Sequence, residues 1–587
     1  MTRMTGMGGN PPSSYPCNPC NPWSISKSVA VVLIILFLLS GALSIMGATA
    51  PERARQGMVV AQERLAAEVG LAVLKDGGNA VDAAVASAFA LAVTYPAAGN
   101  IGGGGFLLHR SGKGSAVAYD FREKAPAKAL PTLFLVDGKY DPNRHHASHL
   151  AVGVPGTVAG LHLAWSRHGR LPWKRLVIPA VRLAKEGFAI SPALADSLRR
   201  ELPRMKAYPA SLAQFSKSGN PYEAGEILRQ KDLARSLNRI AKEGPKGFYD
   251  GETAALIARE MQRGGGVLTL EDLRAYEAKI RVPVTGSYRG FEIVSMPPPS
   301  SGGIAIVEIL NILEGWELGP QDFGSARTIH RMTEAMRRAF SDRAQFLGDP
   351  DSNPEMPVEK LLSKSYANSL RNSISQNKAS VSSTNTFSWR NESPQTTHLS
   401  VLDREGNAAS LTFTLEDSYG SRIVVPGAGF LLNNEMGDFN AEPGRTDVTG
   451  LIGTPPNMAA PGKRMLSSMS PTMVTREGKL LLITGSPGGR TIINTVLETI
   501  VNTLDFGMNA QEAVDAPRFH HQWLPDQIVY ELNGLSPDTL RILETMGHKT
   551  KAVRSQGAAQ VIRVDPKTGW IEGAADRRDP DSAARGW

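Results

Sequence analysis

Thr396 and Thr414 are the residues around which a reaction can be assembled from this sequence alone. They bracket a stretch, residues 395–415, that reads as two apolar-alternating strands joined at Arg404-Glu405-Gly406, the pattern of a β-hairpin. A turn centred on Glu405 sets Thr396 opposite Thr414, two hydroxyls within reach across the ladder. A slip of one residue would part them. The preceding residues, 372–395, are rich in Ser, Asn and Thr without periodicity, which describes an exposed, mobile loop of the kind where chains are cut. A cut between Gln395 and Thr396 would make Thr396 a new N-terminus. Such a residue carries a hydroxyl nucleophile and, in its α-amine, the base that takes the proton. With a pKa of about 7.7–8.0, roughly a tenth to a fifth of that amine is neutral at pH 7. Held in an amide, the nitrogen is no base, so cleavage would switch the activity on. Taken alone, the stretch also reads as an ordinary strand after an ordinary loop.

Other polar residues can be grouped about this nucleophile. Glu416 follows Thr414 closely, and Glu435 and Asp438 share a connector. Three acids near one hydroxyl are either a solvated surface or a pocket suited to an ammonium group. Gly485-Ser486-Pro487-Gly488-Gly489 leads from an apolar strand run at 480–483 into a helix over 491–504. Backbone N–H groups at that junction are placed to bind a developing oxyanion, and the Gly488-Gly489 pair lets the backbone come close. Arg122 stands at a strand end, where a solvated or paired surface charge is the usual finding. His145-His146-x-x-His149 hints at a metal, but no acid lies at helical spacing from it, so no metal site is assigned. There is no H-E-x-x-H, no G-x-S-x-G and no internal repeat.

In order and spacing, the motifs resemble those of the γ-glutamyltransferase (γ-glutamyl transpeptidase) family. The resemblance rests on Gly102-Gly103-Gly104-Gly105, Asp120-Phe121-Arg122-Glu123, the run Met296-Pro297-Pro298-Pro299-Ser300-Ser301-Gly302-Gly303, and Thr396-Thr397-His398 with Thr414. It continues through residues 431–439, Leu466-Ser467-Ser468-Met469-Ser470-Pro471-Thr472 and residues 484–489, and spans the chain from about Ala54 to the C-terminus. It implies a fold of the α/β (α+β) class, the four-layer αββα sandwich of N-terminal-nucleophile hydrolases. Two chains from one precursor, residues 51–395 and 396–587, would form one intertwined unit behind a leader over 1–50. Thr396 would be the nucleophile, oriented by Thr414, with Gly488 and Gly489 as the oxyanion hole. Arg122, a two-pronged donor, would grip the substrate's α-carboxylate together with Ser467 and Ser468. Glu416, Glu435 and Asp438 would hold its α-ammonium group.

The implied reaction is γ-glutamyl acyl transfer from glutathione and other γ-glutamyl compounds to water, or to amino acids or peptides, after autocatalytic cleavage between Gln395 and Thr396. No metal or organic cofactor is implied. Two departures from the family pattern stand out. Its usual residue is Asn at the Glu416 position and Gln or Glu at the Glu435 position, so this pocket is more negative. Residues 440–453 correspond to a lid that often carries Tyr where this chain has Thr449, which leaves the balance of hydrolysis against transfer open. A glutaryl-cephalosporin-type acylase on the same fold is the near alternative. The three acids tell against it, because burying them without a cation is costly. An unprocessed, membrane-anchored binding protein is the distant one.

The elements that must position these residues are legible in part. Residues 59–74 and 79–93 are Ala-rich with helical spacing and are separated by Gly77-Gly78. The glycine run at 102–105 precedes a strand at 106–109 and lacks a following Gly-Lys-Ser/Thr. A backbone crowded against a neighbour fits it better than a phosphate loop. A strand over 116–119 leads to Arg122, residues 150–290 alternate helices and short connectors, and 423–425 and 429–434 read as further strands. The charged fraction of 20% and hydrophobic fraction of 42% over 587 residues are those of a globular protein. The net charge of +8 comes with no basic block interleaved with aromatics, which excludes nucleic acid. Residues 29–50 carry no charge, follow Lys27 and end in Ala48-Thr49-Ala50, the pattern of an export signal to the periplasm or exterior. Uncut, the stretch is long enough to serve as a membrane anchor. Cys17 and Cys20 both belong to this leader, so the remainder has neither disulfide nor thiol chemistry.

Overall fold

Strand alternation sets the architecture. In the computed structural model, which describes residues 50–382, 396–445 and 453–587, the hairpin strands Thr397–Leu402 and Ala408–Thr414 lie near the middle of a seven-stranded sheet. Its order is Ala583–Gly586, Met58–Ala61, Thr397–Leu402, Ala408–Thr414, Gly104–Arg110, Ala116–Phe121 and Lys279–Arg281. A second seven-stranded sheet runs Glu52–Ala54, Ile571–Ala575, Gln560–Val564, Lys479–Thr484, Thr472–Arg476, Phe291–Ser295 and Val284–Tyr288. Neighbouring strands in both are antiparallel. The expected leader with Cys17 and Cys20, the expected cleavage residue Gln395 and the expected lid position Thr449 lie outside the described residues.

Because successive side chains point to opposite faces, the first sheet has two different interiors. Leu399, Val401, Ala409, Leu411 and Phe413 face a helical layer that includes Ala80–Thr94, whose every residue is buried. Met58, Val60, Phe106 and Leu108 face the second sheet at Ile483 and Ile562. Helices Gly302–Leu313 and Thr491–Leu504 join that second core and close the fourth layer. The result is the expected αββα sandwich, and both sheets take strands from either side of residue 396.

The hairpin register sets Thr397 opposite Phe413 and Leu402 opposite Ala408, as a turn centred on Glu405 requires. Asp403 stabilises the turn by accepting from the backbone N–H of Glu405 and of Asn407, both at 2.9 Å. Two readings of the sequence need correction. The helix expected from residue 59 starts at Arg64, and Met58–Ala61 is instead a strand. The Glu63 carboxylate accepts from the N–H groups of Leu65 and Ala66 and so fixes the helix start there. Residues 423–425 and 429–434 make only an isolated bridge between Val424 and Leu431, because Gly427 and Gly429, at φ 77° and 76°, curl the chain before a ladder can extend. The described part of the loop before the expected cleavage residue, residues 373–382, is mostly exposed, as expected, and is anchored at three points. Ala379 N donates to Met546 O at 2.7 Å, Ser380 N to Glu334 at 3.0 Å and Ser382 N to Asp526 at 2.8 Å. Among the described residues no helix is long and apolar enough to cross a membrane.

Candidate active site

Thr396 immediately precedes its strand, and its Oγ1 lies 3.4 Å from Oγ1 of Thr414, which also accepts from Glu416 N at 3.0 Å. The Thr414 carbonyl accepts from Asn100 Nδ2 at 2.8 Å. A Cβ on Gly103 would overlap that carbonyl, and one on Gly102 would overlap the Leu431 carbonyl. The glycine run is therefore a place of backbone crowding. The His398 ring lies between the sheets, 2.8 Å from Thr412 Oγ1 and 3.1 Å from Ser400 Oγ, while the backbone N–H of His398 donates to Gln62 Oε1 at 2.9 Å. Burial pushes this imidazole down to about 3, so it remains neutral and anchors the strand that carries Thr396.

A single pocket gathers Arg122, Thr396, Thr414, Glu416, Glu435, Asp438, Ser467, Ser468 and Gly489, with Met469 and Ile492 completing its wall. Gly488 is adjacent in the chain. It takes φ 135° and Gly489 φ 55°, and a Cβ on Gly488 would stand 2.5 Å from Thr491 Oγ1. Only glycine fits that conformation and that space. Among the described lining residues there is no His or Lys. For a nucleophilic Thr396 this lining offers carboxylates as bases, and a cut before it would add its own α-amine. Thr396 also borders a second cavity of about 430 Å³ on the side of Gln62, Tyr95, Arg200 and Asp579.

The guanidinium of Arg122 is wholly buried and forms ion pairs through Nη1 with Glu435 and through Nη2 with Asp438. It lies 3.5 Å from Glu123, and its Nε donates to Met465 O at 3.2 Å. The cation expected at one end of a substrate and two acids expected at the other are thus partners of one another. Three carboxyls, on Glu123, Glu435 and Asp438, surround one guanidinium, and a fourth, on Glu416, lines the same pocket. Burial raises Glu435 well above the usual carboxylate range and Glu123 to about 7, neighbouring carboxylates add to this, and Arg122 opposes it. Near neutral pH part of the group is protonated, and a bound ammonium would replace those protons with a cation.

Several positioning residues carry no signal in the sequence beyond membership of a motif. Glu123 is one. Asn433 is another: its Nδ2 donates to the carbonyls of Gly102 and Gly153 at 2.8 and 2.9 Å, and its Oδ1 accepts from Glu435 N at 3.0 Å, which pins the connector bearing Glu435 and Asp438. Glu416 adopts φ 77°, a left-handed conformation that Asn takes more readily than Glu. Its Oε1 meets His146 Nδ1 at 3.0 Å. The three histidines of 145–149 diverge, His145 to the Met436 carbonyl and His149 to Glu260, so they do not converge on one point.

Residues 66–586 match the family model described as gamma-glutamyltranspeptidase. The chain is 50% identical over 544 residues to the glutathione hydrolase proenzyme of Escherichia coli (strain K12), covering 92% of this chain and 93% of that one. Among solved structures, it resembles cephalosporin acylase from Bacillus halodurans with a TM-score of 0.82 at 29% identity, over 93% of this chain and 98% of that one. It also resembles Helicobacter pylori gamma-glutamyltranspeptidase with a TM-score of 0.54 at 44% identity, over 57% of this chain and 95% of that one. With the family model spanning nearly the whole described unit, the chain belongs to the γ-glutamyltranspeptidase family.

Proposed function

We propose that the protein hydrolyses glutathione and other γ-glutamyl amides, and transfers the γ-glutamyl group to amino acids or peptides, after cutting itself between Gln395 and Thr396. The observation that carries this reading is the convergence of a terminal-threonine candidate, a buried Arg and three acids on one pocket. In this reading Thr396 Oγ attacks the γ-carbonyl carbon and passes its proton to the Thr396 α-amine. The oxyanion forms against the backbone N–H groups of Gly488 and Gly489. On collapse the C–N bond breaks, the leaving amine takes the proton, and a γ-glutamyl ester remains on Thr396. Water or an amine, deprotonated by the same α-amine, then attacks the ester and restores the hydroxyl. Arg122, Ser467 and Ser468 orient the donor through its α-carboxylate; Glu416, Glu435 and Asp438 do so through its ammonium. The second cavity beside Thr396 suits the leaving group and the incoming acceptor, because the γ-glutamyl group fills the pocket on the other side.

Residues 51–395 and 396–587 remain together in this reading as a heterodimer, held by sheets that draw on both. The leader directs export to the periplasm or exterior, with residues 29–50 either removed or kept as an anchor. An acylase acting on a glutaryl side chain would bring no cation to a pocket in which Glu123, Glu435 and Asp438 share the single guanidinium of Arg122, which favours the γ-glutamyl donor. The test compares purified protein with its Thr396→Ala variant by denaturing electrophoresis and fragment mass. Two fragments, the smaller beginning at Thr396, with one uncut chain in the variant, are expected, together with release of p-nitroaniline from γ-glutamyl-p-nitroanilide by the cut form. One uncut chain in both would overturn the mechanism, and turnover of a glutaryl but not a γ-glutamyl amide would favour the acylase.

A further inference from the structure

The run Met296–Gly303 has no part in the reaction above, yet it is packed directly behind the Ser467-Ser468 loop. Ser301 N donates to Ser467 O at 2.8 Å, Ser467 N to Pro299 O at 2.9 Å, and Ser300 Oγ to Met469 O at 2.7 Å. A Cβ on Gly302 would overlap the Ser470 side chain, so glycine is required for this close approach. Arg343 reaches the same place from helix Ala326–Phe346 and is 1% exposed. Its Nε donates to Ser301 Oγ at 2.7 Å and its Nη2 to Ser468 Oγ at 2.9 Å.

Hydroxyl accounting gives these bonds a direction. A serine hydroxyl has one proton and two lone pairs, and an arginine can only donate. Ser301 spends its proton on Ser467 O at 2.7 Å and offers a lone pair to Arg343. Ser468 accepts from Arg343, so its own proton must point away from that guanidinium. Ser467 Oγ accepts from Met469 N at 3.1 Å and is constrained in the same sense. Ser467 and Ser468 line the pocket and Arg343 stands behind them. A hydroxyl that accepts from a buried cation is also a stronger donor.

We propose that Arg343 is a positioning residue for donor recognition: it fixes Ser468 as a hydrogen-bond donor into the pocket, toward the α-carboxylate of the γ-glutamyl group. This rests on the γ-glutamyl reading of the pocket. It also gives the Met296–Gly303 run a role, which is to brace Ser301 and the serine loop so that one guanidinium holds both. Lysine, with a single nitrogen, cannot donate along the two fixed directions of the fork.

The test uses the full-length protein carrying Arg343→Gln or Arg343→Lys, with self-cleavage and melting temperature recorded. Two donors are compared: γ-glutamyl-p-nitroanilide, and 4-aminobutyryl-p-nitroanilide, which keeps the amine but lacks the α-carboxylate. For Arg343→Gln we expect KM for the γ-glutamyl donor and the inhibition constant of L-glutamate to rise about tenfold or more, with kcat within about threefold. The kcat/KM for the 4-aminobutyryl donor should be unchanged, and Arg343→Lys should be intermediate. Equal losses on both donors, or an unchanged ratio between them, would overturn the proposal. If Arg343→Gln does not fold, Ser468→Ala decides alone and in combination with Arg343→Lys. The double variant should lose no more selectivity than Ser468→Ala, and additive losses would refute action through Ser468. Failure of the wild type to turn over any γ-glutamyl amide would instead sink the underlying reading, a result distinct from either.

Discussion

Replacing Glu435 by Gln separates the electrostatics of the pocket from its shape. Glu435 is 1% exposed, is paired with Arg122 and has three further carboxyls as neighbours. Burial and those neighbours raise its pKa well above the ordinary range, so it keeps its proton at pH values where an ordinary carboxyl is ionised. A protonated Glu and a Gln are both neutral and of similar shape. Above the raised pKa the wild type offers the substrate ammonium a carboxylate, whereas the variant offers only an amide oxygen. A charge-assisted hydrogen bond exceeds a neutral one by roughly 1.5 kcal/mol, about tenfold in an equilibrium constant. Glu435→Gln should therefore match the wild type in kcat/KM at acid pH and fall behind it, by up to about tenfold, as pH rises through the raised pKa. Titration of the Thr396 amine affects both proteins alike and cancels in the ratio. The assay is kcat/KM for γ-glutamyl-p-nitroanilide across pH 5–9, with melting temperatures at each end to exclude unfolding. Profiles that stay parallel over the whole range, or a loss that is already full at pH 5, would refute this account of the pocket.

Two further outcomes follow from buried groups outside the pocket. Burial lifts the Glu498 carboxyl from 4.5 to about 8, and the backbone N–H of Phe519, which donates to it at 3.1 Å, does not offset this. The folded state therefore holds a proton that the unfolded state releases, a contribution complete below pH 4.5 and lost as pH rises toward 8. Calorimetry should find Glu498→Gln close to the wild type at pH 4–5 and more stable at pH 9 by on the order of a few kcal/mol; a pH-independent difference would contradict this. Gly485→Ala would drive a methyl group into the His398 ring, which is buried between the sheets and hydrogen-bonded on both nitrogens. Overpacking of this kind costs about 1–3 kcal/mol. A lower melting temperature and slower appearance of the two fragments are expected, and wild-type melting would show that the strand carrying Thr396 can shift freely.

The sequence by itself determined what is local or repetitive. Alternating apolar residues about Arg404-Glu405-Gly406 define the hairpin, and a turn centred on Glu405 gives the register, which a slip of one residue would have changed. The order of the glycine, proline and serine motifs identifies the family, and with it the αββα sandwich and the residues to look for. Tertiary structure decided the rest. The run at Met58–Ala61 could be helix or strand by periodicity, and it is a strand because a slot exists between Ala583–Gly586 and Thr397–Leu402. Arg122 and Glu435 stand 313 residues apart, and no spacing rule announces that they are buried as partners. The same holds for His146 against Glu416, Glu123 beside the guanidinium and Arg343 behind Ser468. The charge state of a buried group is set by the groups folded around it, and those come from distant parts of the chain.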